Sequence, residues 1–355
     1  MIVVHVGLKK SGSASIQAFF NENAKQLRKL SLDYPKIGRR KKKAHHNLAY
    51  EIQGSKKFDP ERGTLSEAAQ YWEKSACRAM ILSSEMFEEV EVHEAVELKT
   101  KLSHARGASE EFRIYIVIRD LVELMPSSYA QKVRYGLHAY DFDRFFSARM
   151  QMRRVNFYDT VQRWAEAFGW ENLKIRVLDP AHLLNGDLID DLLAVCGVTA
   201  ETDKRDLIRT GIKNTAPGWR VLEATRALSD DRHGLPDTHP LRHKIERKLG
   251  DKGFGYRLGN GAEKAGDMRG WNADRGRYLT RSQAQLCYDA YCNSVTQLNQ
   301  RLTDKLPFPV NLDERRFVER QFIPDVSLIP TQELRGFYDD LWERLEKKRG
   351  DDHPD

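Results

Sequence analysis

The chain has 355 residues, 40% of them hydrophobic, enough for a packed core in one large domain or two smaller ones. Its 58 Lys and Arg against 52 Asp and Glu leave a net charge of +6, which favours an anionic partner such as a nucleotide, polysaccharide, nucleic acid or membrane. The apolar runs are too short to cross a membrane, and the first residues carry no basic segment followed by a long apolar one, so neither a transmembrane segment nor a signal peptide is expected and a cytoplasmic protein is.

The first strand is expected at Ile2 to Val6, and a helix from Ser13 to about Lys29. Residues 31–63 are basic and irregular; Arg39-Arg40-Lys41-Lys42-Lys43 reads either as a solvated loop or as a rim that attracts an acidic substrate. Leu65 to Cys77 suits a helix, Met80 to Ser84 a short strand and Glu91 to Ala105 a helix. Phe112 to Ile118 is a continuous apolar run, the pattern of a strand buried on both faces of a parallel sheet. Leu121 to Tyr135 is helical apart from Pro126. Tyr158 to Phe168 ends at Gly169, a C-cap residue. Leu173 to Leu178 is a strand, and Leu183 to Val195 a helix stopped by Gly197. This alternation predicts an α/β fold: a three-layer α/β/α sandwich with a mostly parallel sheet. Gly211 to Leu228 and Ser282 to Leu302 also look helical, while residues 250–276 show no clear period. Residues 1–200 are expected to form the core, and 201–355 a helical and loop extension that closes over it without being an independent domain.

Cys77, Cys196, Cys287 and Cys292 are scattered, which suits reduced thiols, and Cys287 and Cys292 lack the second pair a zinc knuckle needs. His233, His239 and His243 read as surface histidines in a polar stretch.

The chemistry concentrates between Gly7 and Ser15. Strand, glycine-containing basic loop and helix N-terminus form an anion-binding arrangement, with loop N–H groups and the positive helix end facing a phosphate. Lys10 adds a full charge; Ser11, Ser13 and Ser15 add donors. The loop is P-loop-like but not a Walker A sequence. Gly7 and Gly12 are correctly spaced, yet Ser13-Ala14 follows Gly12 where Lys-Ser/Thr is required. A second anion site is expected at Arg119, which ends the central strand, with Ser127 eight residues on. The plainer reading of Arg119 is a structural pair with Asp120.

At these residues the chain resembles the sulfotransferases. His5-Val6-Gly7-Leu8-Lys9-Lys10-Ser11-Gly12-Ser13-Ala14-Ser15-Ile16-Gln17 is similar to that family's 5′-phosphosulfate loop, and Arg119, Ser127 and Tyr129 to its 3′-phosphate segment. Phe157 to Trp164, Phe168-Gly169, Leu173 to Leu178 and Lys213-Asn214-Thr215 look like its bacterial members. The likeness covers about residues 1–230. Ala14 departs from the usual hydroxyl residue, Leu121 from a frequent proline and Leu124 from a frequent arginine. The resemblance implies a donor, 3′-phosphoadenosine 5′-phosphosulfate (PAPS), and no metal. It implies PAPS contacts from Lys10, Ser11, Gly12, Ser13, Ala14, Ser15, Arg119 and Ser127.

Sulfuryl transfer builds negative charge on the bridging and leaving oxygens, which a positioned lysine stabilises; Lys10 is the candidate. The acceptor's proton needs a base at the carboxyl ends of the strands. Glu85 follows the Met80–Ser84 strand directly, and a glutamate serves in several family members; the alternative for it is a structural or orienting carboxylate. His45 and His46 follow the basic block, and a histidine serves as base in other family members; His45 is the second candidate, with a surface or packing role as its alternative. His5 reads as structural, and Glu88 and Glu89 as solvated. Trp219, Phe254, Tyr256 and Trp271 read as core aromatics or as stacking partners for adenine or acceptor.

A carbohydrate or glycolipid hydroxyl is the expected acceptor. Two other classes are carried beside this one: a P-loop-like phosphotransferase using ATP, against which the missing Walker lysine counts, and a non-catalytic anion-binding protein relying on Arg39–Lys43. No nucleic-acid motif is present, so no nucleic-acid partner is expected.

Overall fold

The computed structural model describes residues 1–39, 43–103, 110–135, 140–199, 206–209, 216–228, 239–248, 252–318 and 323–347. The chain divides into two compact units, one made of Met1–Asp120, Arg153–Ile212 and Asp289–Pro309, the other of Leu121–Met152, Lys213–Tyr288 and Val310–Asp355. That partition differs from the expected division at residue 200, because the second unit takes Leu121–Met152 from within the first 200 residues.

The first unit is α/β. Strands β1 (Ile2–Val6), β2 (Leu32–Asp33), β3 (Ala79–Ser84), β4 (Phe112–Ile118) and β5 (Leu173–Val177) form one sheet in the order β2-β3-β1-β4-β5. Every pairing is parallel, so the sheet is wholly rather than mostly parallel among the described residues. β1 is buried along its whole length, as a central parallel strand requires. Val3, Ile81, Tyr115 and Val117 turn to one face. There they meet Ile16, Phe19 and Phe20 of α1 (Ser13–Glu22) and Leu192 and Leu193 of α9 (Leu188–Val195). On the other face Phe112 meets Phe168 of α8 (Phe157–Phe168) edge to face at 5.2 Å. Phe87, just after β3, meets Trp164 of α8 at 5.9 Å. Helices thus cover both faces of the sheet.

The expected first helix breaks at Asn23 into α1 and α2 (Ala24–Lys29). The Asn23 side chain donates to Phe19 O at 2.9 Å and Ile208 O at 3.0 Å, and accepts from Ile208 N at 2.7 Å. An amide that pins a distant segment in this way competes with continuation of the helix. Within the stretch read as irregular, α3 (His46–Ile52) forms, preceding α4 (Leu65–Glu73) and α5 (Val92–Ser103). No helix of the described residues is long and apolar enough to cross a membrane.

The second unit contains the helices α6 (Leu121–Arg134), α7 (Phe142–Met150), α10 (Trp219–Ala227), α11 (Pro240–Lys248), α12 (Lys252–Met268), the first part of α13 (Arg281–Arg301) and α14 (Thr331–Lys347). α12 is the largest departure from the sequence reading, since it lies where no period was legible. Its glycines explain both facts. A Cβ on Gly259 would overlap the Arg134 carbonyl and one on Gly266 would overlap Val221 Cγ2, so these residues are small to admit neighbouring helices closely. A buried ion pair lies at the centre: Arg226 Nε donates to Glu223 Oε2 at 2.6 Å, and both side chains are enclosed. Tyr129 and Tyr278 hydroxyls donate to Glu223 Oε1 at 2.9 and 3.2 Å. Arg226 Nη2 also donates to Asp325 at 3.0 Å.

Candidate functional site

In an open parallel sheet, ligands bind beyond the carboxyl ends of strands whose following connections leave to opposite faces. β1 meets this condition: α1 returns on one face, while α5, which follows β3, packs with α8 on the opposite face. Val6, Ser84 and Ile116 lie level in the register, so the loop after β1 emerges between the ends of β3 and β4.

The loop is tightly shaped. Gly7 N donates to Ser84 O at 3.0 Å. A Cβ on Gly7 would lie 2.7 Å from Ser13 Oγ, so the glycine lets the helix start fold back over the strand end. Ser13 Oγ donates to Leu8 O at 3.2 Å. Lys10 is left-handed with φ 66°, and so is Gly12 with φ 84°. Two such residues turn the chain into α1, whose N-terminus has no side-chain cap and no acidic residue in its first turn. Ser11 is enclosed, and its Oγ has no partner among the described residues. An orphaned buried hydroxyl beside an uncapped helix start is a donor set for an anion. Ala14 is exposed and Ser15 half-buried at the same helix start.

β4 brings Arg119 to this loop. Arg119 Nη1 donates to the Lys10 carbonyl at 3.1 Å. Ser127 is half-buried on α6 and belongs to the second unit.

β3 brings Glu85. Burial raises the Glu85 carboxyl above its ordinary range, Lys9 and Lys10 pull it down, and Glu88 pushes it up. Lys10 and Glu85 thus lie within electrostatic reach of each other. Lys9 is tied to Glu89 at 3.1 Å, and Arg154 pairs with the same Glu89. Glu88, expected to be solvated, is buried, and its Oε2 has no partner among the described residues.

His45 is placed differently from its expected role. It is enclosed; Ser83 N donates to its Nδ1 at 3.0 Å, and its Nε2 donates to Pro35 O at 3.0 Å. Both ring nitrogens are committed to backbone, and burial lowers its pKa to about 3. The ring joins β3 to Pro35, and this assigns His45 to the fold rather than to proton transfer. His5 is also enclosed, with Nδ1 2.8 Å from Ser83 Oγ and its pKa lowered by burial to about 3, as a structural residue should be. The histidine that stands at the strand ends is its neighbour His46. Its Nδ1 lies 2.8 Å from Ser84 Oγ, and the Ser84 carbonyl holds Gly7, so His46 stands at the strand ends where His45 does not. Its half-buried position at the first turn of α3 was the missing signal, since α3 itself was not foreseen.

Arg40, Lys41 and Lys42 of the basic block, His233 and the Lys213-Asn214-Thr215 segment lie outside the described residues. Among the described residues no group of three or more His, Cys, Asp and Glu side chains is arranged to hold a metal ion. No family model, curated protein or solved structure matches the chain.

Proposed function

We propose that the chain is a PAPS-dependent sulfotransferase acting on a hydroxyl or amine of an acceptor, with a carbohydrate or glycolipid as the first class to test. The observation that carries this reading is the loop after β1. There the left-handed Lys10 and Gly12, the orphaned Ser11 hydroxyl and the uncapped start of α1 converge between Arg119 and Glu85.

The residues fit the donor's two anionic ends. Ser11, Gly12, Ser13, Ala14 and Ser15 would offer N–H and hydroxyl donors to the phosphosulfate. Arg119 would hold the 3′-phosphate; Ser127 joins it in this reading on sequence spacing alone. When bound, the donor supplies an activated sulfuryl group on a phosphosulfate anhydride. Lys10 would stabilise negative charge where it grows during transfer, a preorganised interaction of the kind worth about 3–4 kcal/mol in other enzymes. Glu85 would take the acceptor proton, since a carboxyl raised by burial is a stronger base than a solvated one.

The test is calorimetric titration of the full chain with 3′-phosphoadenosine 5′-phosphate, with ATP–magnesium as control. Micromolar binding that Lys10→Ala and Arg119→Ala each weaken at least about tenfold (~1.4 kcal/mol) is expected. Absence of binding, or preference for ATP–magnesium, overturns the reading and favours phosphoryl transfer.

A further inference from the structure

The second unit holds a hollow of about 550 Å³ that the proposed chemistry does not use. Its walls are Trp219, Phe317, Val318, Pro324 and Leu328, and its rim carries Arg275 and Arg277. The local backbone is built around it. Trp219 N donates to Asp274 O at 2.9 Å and Trp219 Nε1 to Asp274 Oδ2 at 2.8 Å. Gly276 N donates to Asp274 Oδ1 at 3.0 Å. Gly276 is left-handed with φ 62°, and a Cβ there would meet Trp219 Cβ at 2.7 Å and Pro324 Cγ at 3.1 Å. This glycine lets the chain turn against the indole while the arginines on either side of it point to solvent.

The electrostatics are one-sided. Both oxygens of the one carboxylate in the lining, Asp274, already accept N–H donors. The Arg275 and Arg277 side chains are exposed and make no hydrogen bond or ion pair among the described residues. A third guanidinium, Arg220, lies 5.2 Å from the Trp219 ring centroid. Apolar walls with cationic forks at the mouth suit a ligand with a flat apolar body and an anionic head, and the volume falls in the range of small-molecule sites. We propose that this hollow binds a ring-bearing organic anion, independently of the loop after β1.

The probe is 2-naphthyl sulfate, titrated into the full chain by calorimetry, with 2-naphthol as its uncharged counterpart. One saturable site is expected, at least tenfold tighter for the sulfate than for the alcohol. The Arg275→Ala/Arg277→Ala double variant weakens it at least tenfold. Leu328→Glu, which adds a negative charge at an exposed wall position, weakens it likewise. These positions are at the surface, so the thermal transition stays at the wild-type value and a folding defect is excluded directly. Lys10→Ala binds the probe as wild type does, whatever becomes of its nucleotide binding. No saturable binding, binding indifferent to the double arginine variant, or binding lost with Lys10→Ala overturns the proposal.

Discussion

Arg119 Nη1 holds the carbonyl of Lys10 at 3.1 Å, so the end of β4 fixes the left-handed turn of the loop that follows β1. A guanidinium in this position holds the backbone of the neighbouring loop through one arm of a rigid, planar fork of five N–H donors, a geometry that lysine lacks. Arg119→Lys is therefore expected to behave like Arg119→Ala in nucleotide titrations, with at least about a tenfold loss (~1.4 kcal/mol). Near-wild-type affinity in the lysine variant would show that charge alone suffices.

Lys10 separates stability from function. A non-glycine residue at φ 66° carries backbone strain of about 1–2 kcal/mol, which glycine lacks. Lys10→Gly should leave the urea midpoint unchanged or raise it, while binding of 3′-phosphoadenosine 5′-phosphate falls at least tenfold. A variant that loses stability instead would refute the assignment of strain to this residue.

Glu85 should give the opposite pH signature to an ordinary surface carboxylate. Burial raises its folded pKa above the unfolded value. Stability linked to it is therefore full below the unfolded pKa and lost as pH rises through the raised one. Glu85→Gln should raise the melting temperature at pH 7 and change it little at pH 4. It should leave nucleotide binding equal or tighter, because a negative charge near Lys10 has been removed. Melting curves at the two pH values, paired with one titration, decide this.

His45 predicts acid sensitivity. Its folded pKa is about 3 against 6.5 for the free side chain, so the fold favours the neutral ring. That stability is present above pH 6.5 and is lost as pH falls toward 3, with a slope approaching about 1.4 kcal/mol per pH unit for one proton. His5, also at about 3, adds a second proton over the same window. Urea midpoints across that window should fall less steeply in His45→Gln, by one proton's worth. An unchanged slope would mean that His45 titrates normally.

The Glu223–Arg226 pair should show strong coupling. Glu223→Leu leaves an enclosed guanidinium and two tyrosine hydroxyls without this carboxylate, a loss of about 3–5 kcal/mol. Glu223→Leu with Arg226→Met should cost less than the two single changes added together, by at least about 1 kcal/mol. Strict additivity in a double-mutant cycle would contradict the geometry.

Four of the five strands were legible as short apolar runs, and the period of Phe157–Phe168 is unmistakable; β2 was not, because two residues, one of them Asp33, carry no strand pattern and lie in the stretch read as irregular. Glu85 and Arg119 could be placed at one sheet edge because each directly follows a readable strand, and Lys10 and Gly12 because they lie in the loop that leaves β1 at the same edge. His45 and His46 could not be told apart. They are adjacent in sequence, and only the start of α3 decides which one faces the backbone of Ser83 and which the hydroxyl of Ser84. α12 escaped because its signal is small size rather than hydrophobic period: Gly259 and Gly266 matter for what they leave out.

That feature bears on the order of folding. Residues 252–268 include five glycines, and each lowers helix propensity by about 1 kcal/mol relative to alanine. On its own this segment is a poor helix, and nucleation in water would not hold it. It becomes helical only when α6, α10 and α14 are already there to receive it. Its amide protons should therefore exchange with solvent as one late-forming block, and their protection reports whether the second unit has closed around them.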